Sequence, residues 1–196
     1  MSWGTENGDN GGLATALQPL DYAAYLRLPE TTRRYDIIDG VLTYMSPSPN
    51  WDHQRTLREI FKALDRHVVR HRLGEVAFAP LDVIISKGPL RVRQPDVMFI
   101  SNERRHVLRD FVHGGPDLVV EVISPGNTPR HIEQKLHDYA AADVREAWMA
   151  DYRQRTIAVL HPDNGEFRET AMYRVGERLR SKVLPRLSVD VRRVFS

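Results

Sequence analysis

Apolar and polar residues alternate along the chain with two different periods. Residues 51–71 carry Ile60 and Leu64 at helical spacing and predict a long amphipathic helix. Residues 130–142 have the same period and predict a second helix. Short runs rich in Val, Ile and Phe predict strands. The predicted strands cover residues 74–87, 91–101, 117–123 and 145–152.

The order of these elements predicts the fold. A helix, three strands, a helix and a strand give an αβββαβ core, an α/β (α+β) fold in which a mixed central sheet is flanked by helices. Turn signals at Asp39-Gly40 and Asn164-Gly165 predict extra hairpins before and after this core. Proline marks two of the strands: Pro80 predicts a bend in the first, and Pro95 places the second at an edge or a bend.

Length and composition predict one domain. Residues 1–17 are rich in Gly, Asn and Asp and predict a disordered tail, while residues 18–196 suffice for a single core. The absence of cysteine excludes disulfides and thiolate metal sites. No apolar stretch approaches the ~20 residues that span a bilayer, and the N-terminus lacks a signal-peptide pattern. We therefore expect a cytoplasmic protein without a membrane partner.

Most of the basic residues are arginines. The chain has 28 of them for a net charge of only +2, and four are lysines, at positions 62, 87, 135 and 182. Arginine suits bidentate contact with phosphate, and pairs such as Arg33-Arg34 would serve a nucleic-acid surface. A solvated arginine-rich surface fits the same counts, so charge alone leaves DNA binding open.

Two carboxylates lie in strongly apolar runs. Asp96 begins the run DVMFIS, and Glu121 lies within LVVEVIS. An unpaired carboxylate is costly in a strand that is buried on both faces, so we expect a cation beside Glu121. If the two strands are neighbours, about 5 Å apart, facing carboxylates could hold one divalent metal ion. The alternative is a structural acid paired with an arginine.

These motifs, in this order, resemble the Uma family of restriction-endonuclease-like proteins, within the PD-(D/E)xK nuclease superfamily. The resemblance covers residues 20 to about 160. It is carried by YDIIDGVLTYMSPSP, APLDVII, QPDVMFIS, PDLVVEVISP and EAWMAD. It implies a metal-dependent endonuclease that hydrolyses DNA, with a homodimer as a family-like expectation.

The resemblance also implies roles for particular residues. Asp96, Glu121 and the Val122 carbonyl would hold Mg²⁺ or Mn²⁺. Lys135 would orient the attacking water or stabilise the developing charge of the phosphorane. The auxiliary positions are Asp36, His53 and Tyr139. Three of these residues have a simpler alternative. Asp36 could be an exposed strand acid, His53 a histidine that packs the start of the helix, and Lys135 a surface lysine.

This chain departs from the pattern at three positions. The superfamily lysine two residues after the glutamate is Ile123 here, so Lys135 on the following helix would supply the amine. His131 stands where the family usually has an acid, and Asp36 where it usually has Glu. A second hypothesis therefore stays open, in which the chain is a catalytically inactive nuclease-fold module that binds nucleic acid or protein.

Overall fold

The computed structural model describes residues 18–45 and 50–196, so the predicted tail at 1–17 lies outside the described residues. The helices are α1 (Tyr22–Tyr25), α2 (Trp51–His71), α3 (Pro129–Ala141) and α4 (Val191–Val194), with a 3₁₀ helix at Asn102–Val107. The first seven strands are β1 (Tyr35–Ile38), β2 (Val41–Tyr44), β3 (Gly74–Phe78), β4 (Val83–Lys87), β5 (Leu90–Arg93), β6 (Val97–Ser101) and β7 (Val112–His113). The remaining strands are β8 (Leu118–Val122), β9 (Glu146–Asp151), β10 (Thr156–Asp163), β11 (Glu166–Arg174), β12 (Arg178–Leu179) and β13 (Val189–Asp190).

The predicted mixed central sheet is present, and it has six strands. Its order is β11-β10-β9-β8-β6-β3, and β8 runs parallel to β9 while the other neighbours are antiparallel. Helix α2 buries Ile60, Leu64 and Val68 against one face, together with α4. Helix α3 covers the other face, where Tyr139 packs beside Val119. The central sheet thus separates two apolar layers, one beneath α2 and α4 and the other beneath α3.

A second sheet packs beside α3 on the same side of the central sheet. Its order is β2-β1-β5-β4-β7, and Val83 and Val112 contact Met98 and Ile100 of β6. This sheet includes the predicted N-terminal hairpin, whose turn residues Asp39-Gly40 have positive φ angles of 51° and 79°. The predicted C-terminal hairpin is also present, as β10 and β11.

Two predicted strands are wrong in extent. Residues 74–87 form β3 in the central sheet and β4 in the second, and residues 91–101 are likewise divided between β5 and β6. Pro80 and Pro95 lie in the two crossings between sheets. Because proline cannot donate a hydrogen bond to a ladder, it favours the points at which the chain leaves one sheet for the other.

Helix α3 is fixed at its start by its own sequence. The Thr128 side chain caps it by accepting a hydrogen bond from the His131 amide, and Pro129 occupies the first turn, where its missing N–H costs nothing. Lys135 and Tyr139 are four residues apart and therefore lie on one face, which is buried. Across the two described stretches, no helix is long and apolar enough to cross a membrane.

Candidate active site

Strand register brings Asp96 and Glu121 together. In the antiparallel pair of β6 and β8, Val97 lies opposite Val120. Continuing that register by one residue places Asp96 opposite Glu121, and opposite residues project from the same face of a sheet. That face is the one covered by α3. Both side chains are buried, with residue exposures of 2% for Asp96 and 6% for Glu121.

Glu121 receives both of its side-chain hydrogen bonds from α3. Lys135 Nζ donates to Oε2 at 2.8 Å, and the Tyr139 hydroxyl donates to Oε1. The cation expected beside Glu121 is therefore Lys135, and the surface-lysine alternative is wrong because the residue is only 8% exposed. Burial lowers the pKa of Lys135, but the charge of Glu121, followed by those of Asp36 and Asp96, raises the pKa above its ordinary value. The amine thus stays protonated and cannot serve as a general base.

Tyr139 is a neutral hydrogen-bond donor in this site. Burial raises the pKa of its hydroxyl, and the charge of Glu121 raises it further. A phenol whose pKa is raised above its ordinary value of about 10 does not ionise near neutral pH. It fixes one oxygen of Glu121 while Lys135 fixes the other, so the orientation of the carboxylate is set by a single helix face.

Asp96 is held by partners from three other parts of the chain. Its Oδ2 accepts the Val122 amide at 2.7 Å and lies 3.4 Å from His53 Nε2, while its Oδ1 accepts the Arg34 guanidinium. Burial raises the pKa of Asp96, but the interaction with His53 and the charge of Arg34 outweigh burial and hold the pKa well below its usual range. The carboxylate is therefore ionised at neutral pH.

A layer of ion pairs anchors α3 to the second sheet. Asp138 Oδ2 of α3 accepts Arg93 Nε at 2.7 Å, and Arg93 Nη1 donates to Asp36 Oδ2 at 2.8 Å. Asp138 Oδ1 accepts a further hydrogen bond from Arg91. The Asp36 side chain is only 13% exposed, so the exposed-acid alternative is wrong. These contacts tie β1, β5 and α3 together, and Lys135 lies on the helix that they hold.

Three buried polar atoms around these carboxylates lack a hydrogen-bond partner within residues 18–45 and 50–196. They are Arg34 Nε, Asp36 Oδ1 and His53 Nδ1. Native proteins rarely leave buried polar atoms unpaired, so each of these atoms is a candidate partner for water or an ion.

The donor set fits a hydrated divalent ion. In the part of the chain that the structure describes, no group of three or more His, Asp or Glu side chains is arranged to hold a metal. Mg²⁺ commonly keeps several waters and binds through only one or two carboxylates. Two buried carboxylates on facing strand positions, Asp96 and Glu121, meet that requirement.

The structure brings most of the predicted site residues together. Lys135 and Tyr139 contact Glu121, His53 and the Val122 amide contact Asp96, and the strand register places the two carboxylates opposite each other. His131 is exposed at the start of α3 and lies apart from these contacts.

Sequence analysis gave no role in the site to three charged residues of this region, and it considered Arg34 only as part of a nucleic-acid surface. The three residues are Arg34, Arg93 and Asp138. The one available signal is position, because Arg34 and Arg93 directly flank the motifs YDIID and QPD. The charge pattern of α3 gave no reason to single out Asp138 from the other polar residues of that helix.

Comparisons with known proteins bear on the family and the fold of this chain. The family model described as "Uma2: Putative restriction endonuclease" matches residues 22–192. The fold is similar to the crystal structure of "a putative nuclease belonging to DUF820" from Anabaena variabilis, with a TM-score of 0.74 and 17% sequence identity. That similarity covers 90% of this chain and 98% of the other. No curated protein matches the sequence.

Proposed function

Because this chain belongs to the Uma2 family of restriction-endonuclease-like proteins, we propose that it is a metal-dependent endonuclease that hydrolyses phosphodiester bonds in DNA. The observation that carries the proposal is the pair of buried carboxylates, Asp96 and Glu121, at facing positions of β6 and β8. A protonated amine lies on one of them, at 2.8 Å. Carboxylate oxygens beside a fixed ammonium are the parts that hydrolysis of a phosphodiester requires.

In the proposed mechanism, Asp96, Glu121 and the Val122 carbonyl would hold Mg²⁺ or Mn²⁺. When bound, the ion would polarise the phosphate and lower the pKa of water. Lys135 remains an ammonium, because the negative charges around it favour its protonated form. It would therefore donate hydrogen bonds, either to orient the attacking water or to stabilise the negative charge of the phosphorane, and would take up no proton.

Two further residues position the ligands. Tyr139 holds the Oε1 oxygen of Glu121, and His53 approaches the Oδ2 oxygen of Asp96. Asp36 reaches the site indirectly, since it binds Arg93, which in turn binds Asp138 of α3. We assign His53, Tyr139 and Asp36 to this supporting role.

One observation favours the inactive-module hypothesis as a second candidate. Each carboxylate of the site already has a cation from the chain itself: Arg34 on Asp96, Lys135 on Glu121, and Arg93 on Asp36 and Asp138. A site balanced in this way can be stable without a metal. In that case the fold would serve binding of nucleic acid or protein and no cleavage.

Cleavage of supercoiled plasmid and single-stranded DNA separates the two candidates. We expect nicking that requires Mg²⁺ or Mn²⁺, disappears in EDTA, and falls by orders of magnitude in Asp96→Ala and Glu121→Ala. Lys135→Ala should abolish turnover while Mn²⁺ binding persists, because the amine is not a ligand. Asp36→Ala should cost less than loss of either ligand.

The control variant is Asp163→Ala, which removes an acid that is 56% exposed on the β10–β11 hairpin and should cleave like wild type. Circular dichroism of each variant establishes that it is folded. Wild-type protein that binds DNA with a steep salt dependence but cuts no substrate with any metal would favour the inactive module. Equal cleavage by wild type and Glu121→Ala would indicate a contaminating nuclease.

A further inference from the structure

Arg34 is the residue that most directly obstructs the proposed metal site. Its guanidinium donates one hydrogen bond to Asp96 Oδ1 and another to the Gln94 carbonyl. The side chain is 19% exposed, whereas that of Asp96 is 3% exposed, so the arginine enters from the edge of the site and the acid lies at its base. The oxygen that it occupies is one that a divalent ion on Asp96 would need.

Arg34 leaves one of its hydrogen-bond donors unused, as expected for a side chain that a metal ion can displace. Its Nε is buried without a hydrogen-bond partner in the described chain. The guanidinium is therefore held at its two terminal nitrogens only. A buried N–H that lacks a partner is unfavourable, which reduces the stability of this contact. Lys135 differs, because its ammonium is buried on Glu121 and belongs to a helix that is anchored by the ion pair of Arg93 and Asp138.

We infer that Arg34 takes the place of the divalent ion on Asp96 in the metal-free protein and must leave Asp96 before the ion binds. The inference rests on the proposed function, since it concerns the same metal site. Two cations cannot share one carboxylate oxygen in a buried site without strong repulsion. The arginine keeps Asp96 paired when metal is absent, which avoids the high cost of a lone buried charge. It also weakens the apparent affinity for the ion, because the ion competes with it.

Mn²⁺ titration by calorimetry, without DNA, tests this competition in the full-length chain. Arg34→Gln should bind Mn²⁺ at least about tenfold more tightly than wild type, because the competing charge is gone. Arg33→Gln is the matched control: it removes the same charge one residue away, where the guanidinium lies over the Tyr44 ring at 4.1 Å and makes no contact with Asp96. It should bind Mn²⁺ like wild type.

Thermal unfolding after dialysis against EDTA gives a second readout. Metal-free Arg34→Gln should melt several degrees below wild type, and Mn²⁺ should restore most of that difference. Replacing Asp96 with Asn in the same variant should raise the metal-free melting temperature and abolish Mn²⁺ binding. If Arg34→Gln does not fold, Arg34→Lys keeps a cation but loses the two-pronged contact and should show a smaller tightening in the same direction.

The outcomes separate this inference from the proposed function. If wild type and Arg34→Gln bind Mn²⁺ equally, and both lose binding on Glu121→Gln, the metal site stands and the competition is refuted. Weaker binding by Arg34→Gln would also refute it, since Arg34 would then support the site. If no variant binds Mn²⁺, the metal site itself fails and the arginine is a permanent partner of Asp96.

Discussion

The buried ion pair of Lys135 and Glu121 provides a stability prediction that is independent of catalysis. At 2.8 Å, the attraction between the two charges is about 6 kcal/mol for an effective dielectric constant of about 20. Desolvation of both groups offsets part of this attraction, and loss of one partner of a buried pair costs about 3–5 kcal/mol in proteins. We expect Lys135→Met to fall near the lower end, about 3 kcal/mol, because Tyr139 still donates to Glu121.

Urea denaturation in EDTA measures this loss, and a double-mutant cycle identifies its cause. Lys135→Met combined with Glu121→Gln should lose less than the sum of the two single variants, because the double variant leaves no buried charge unpaired. Lys62→Met is the control: it removes a lysine whose side chain is 52% exposed, and should change stability by less than about 1 kcal/mol. A cost below about 1 kcal/mol for Lys135→Met, or strict additivity in the cycle, would refute the buried pair.

Two further predictions concern the partners of the carboxylates. The folded pKa of Asp96 lies below its unfolded value of about 3.9, so its contribution to stability is complete above about pH 5 and is lost as the pH falls through the folded pKa. Urea titrations of wild type and Asp96→Asn should therefore show a constant difference between about pH 5 and 8 and a shrinking one below; a difference that grows in acid would contradict the assignment. Tyr139→Phe should lower the free energy of unfolding by about 1.5–3 kcal/mol, since it removes a hydrogen bond to a charged group. A loss below about 0.5 kcal/mol in the same assay would mean that water replaces the hydroxyl.

Asp96 and Glu121 could be singled out from the sequence because each places a carboxylate in an apolar run. Glu121 lies among five apolar residues in LVVEVI, and Asp96 begins another apolar run. A carboxylate in such a run needs a partner. The resemblance singled out Lys135, while an arginine partner for Glu121 and a surface position for Lys135 stayed open. The structure places Lys135 on Glu121.

The division into two sheets could not be predicted from the same pattern. Pro80 and Pro95 interrupt continuous apolar runs, and a proline in a strand marks a bend within one sheet as readily as a crossing to another. Which of these occurs depends on the packing of β4 and β5 against β1, far away along the chain. Local periodicity carries no information about that packing.

The contact of Arg34 with Asp96 could not be predicted from the sequence either. The two residues are 62 positions apart, and the chain offers many arginines as partners for each acid. Only the fold selects among them, by placing the start of β1 at the edge of the site. The same is true of Arg93 and Asp138, which are 45 positions apart.

Anomalous scattering from crystals soaked in Mn²⁺ tests the central claim most directly, namely that Asp96 and Glu121 together hold a divalent ion. We expect one manganese peak at about 2.1 Å from an oxygen of each carboxylate, with Arg34 no longer bonded to Asp96, and no such peak in crystals of Glu121→Gln. Crystals in which Arg34 still occupies Asp96 and manganese is absent from the site, at an Mn²⁺ concentration that supports binding elsewhere on the molecule, would contradict the account.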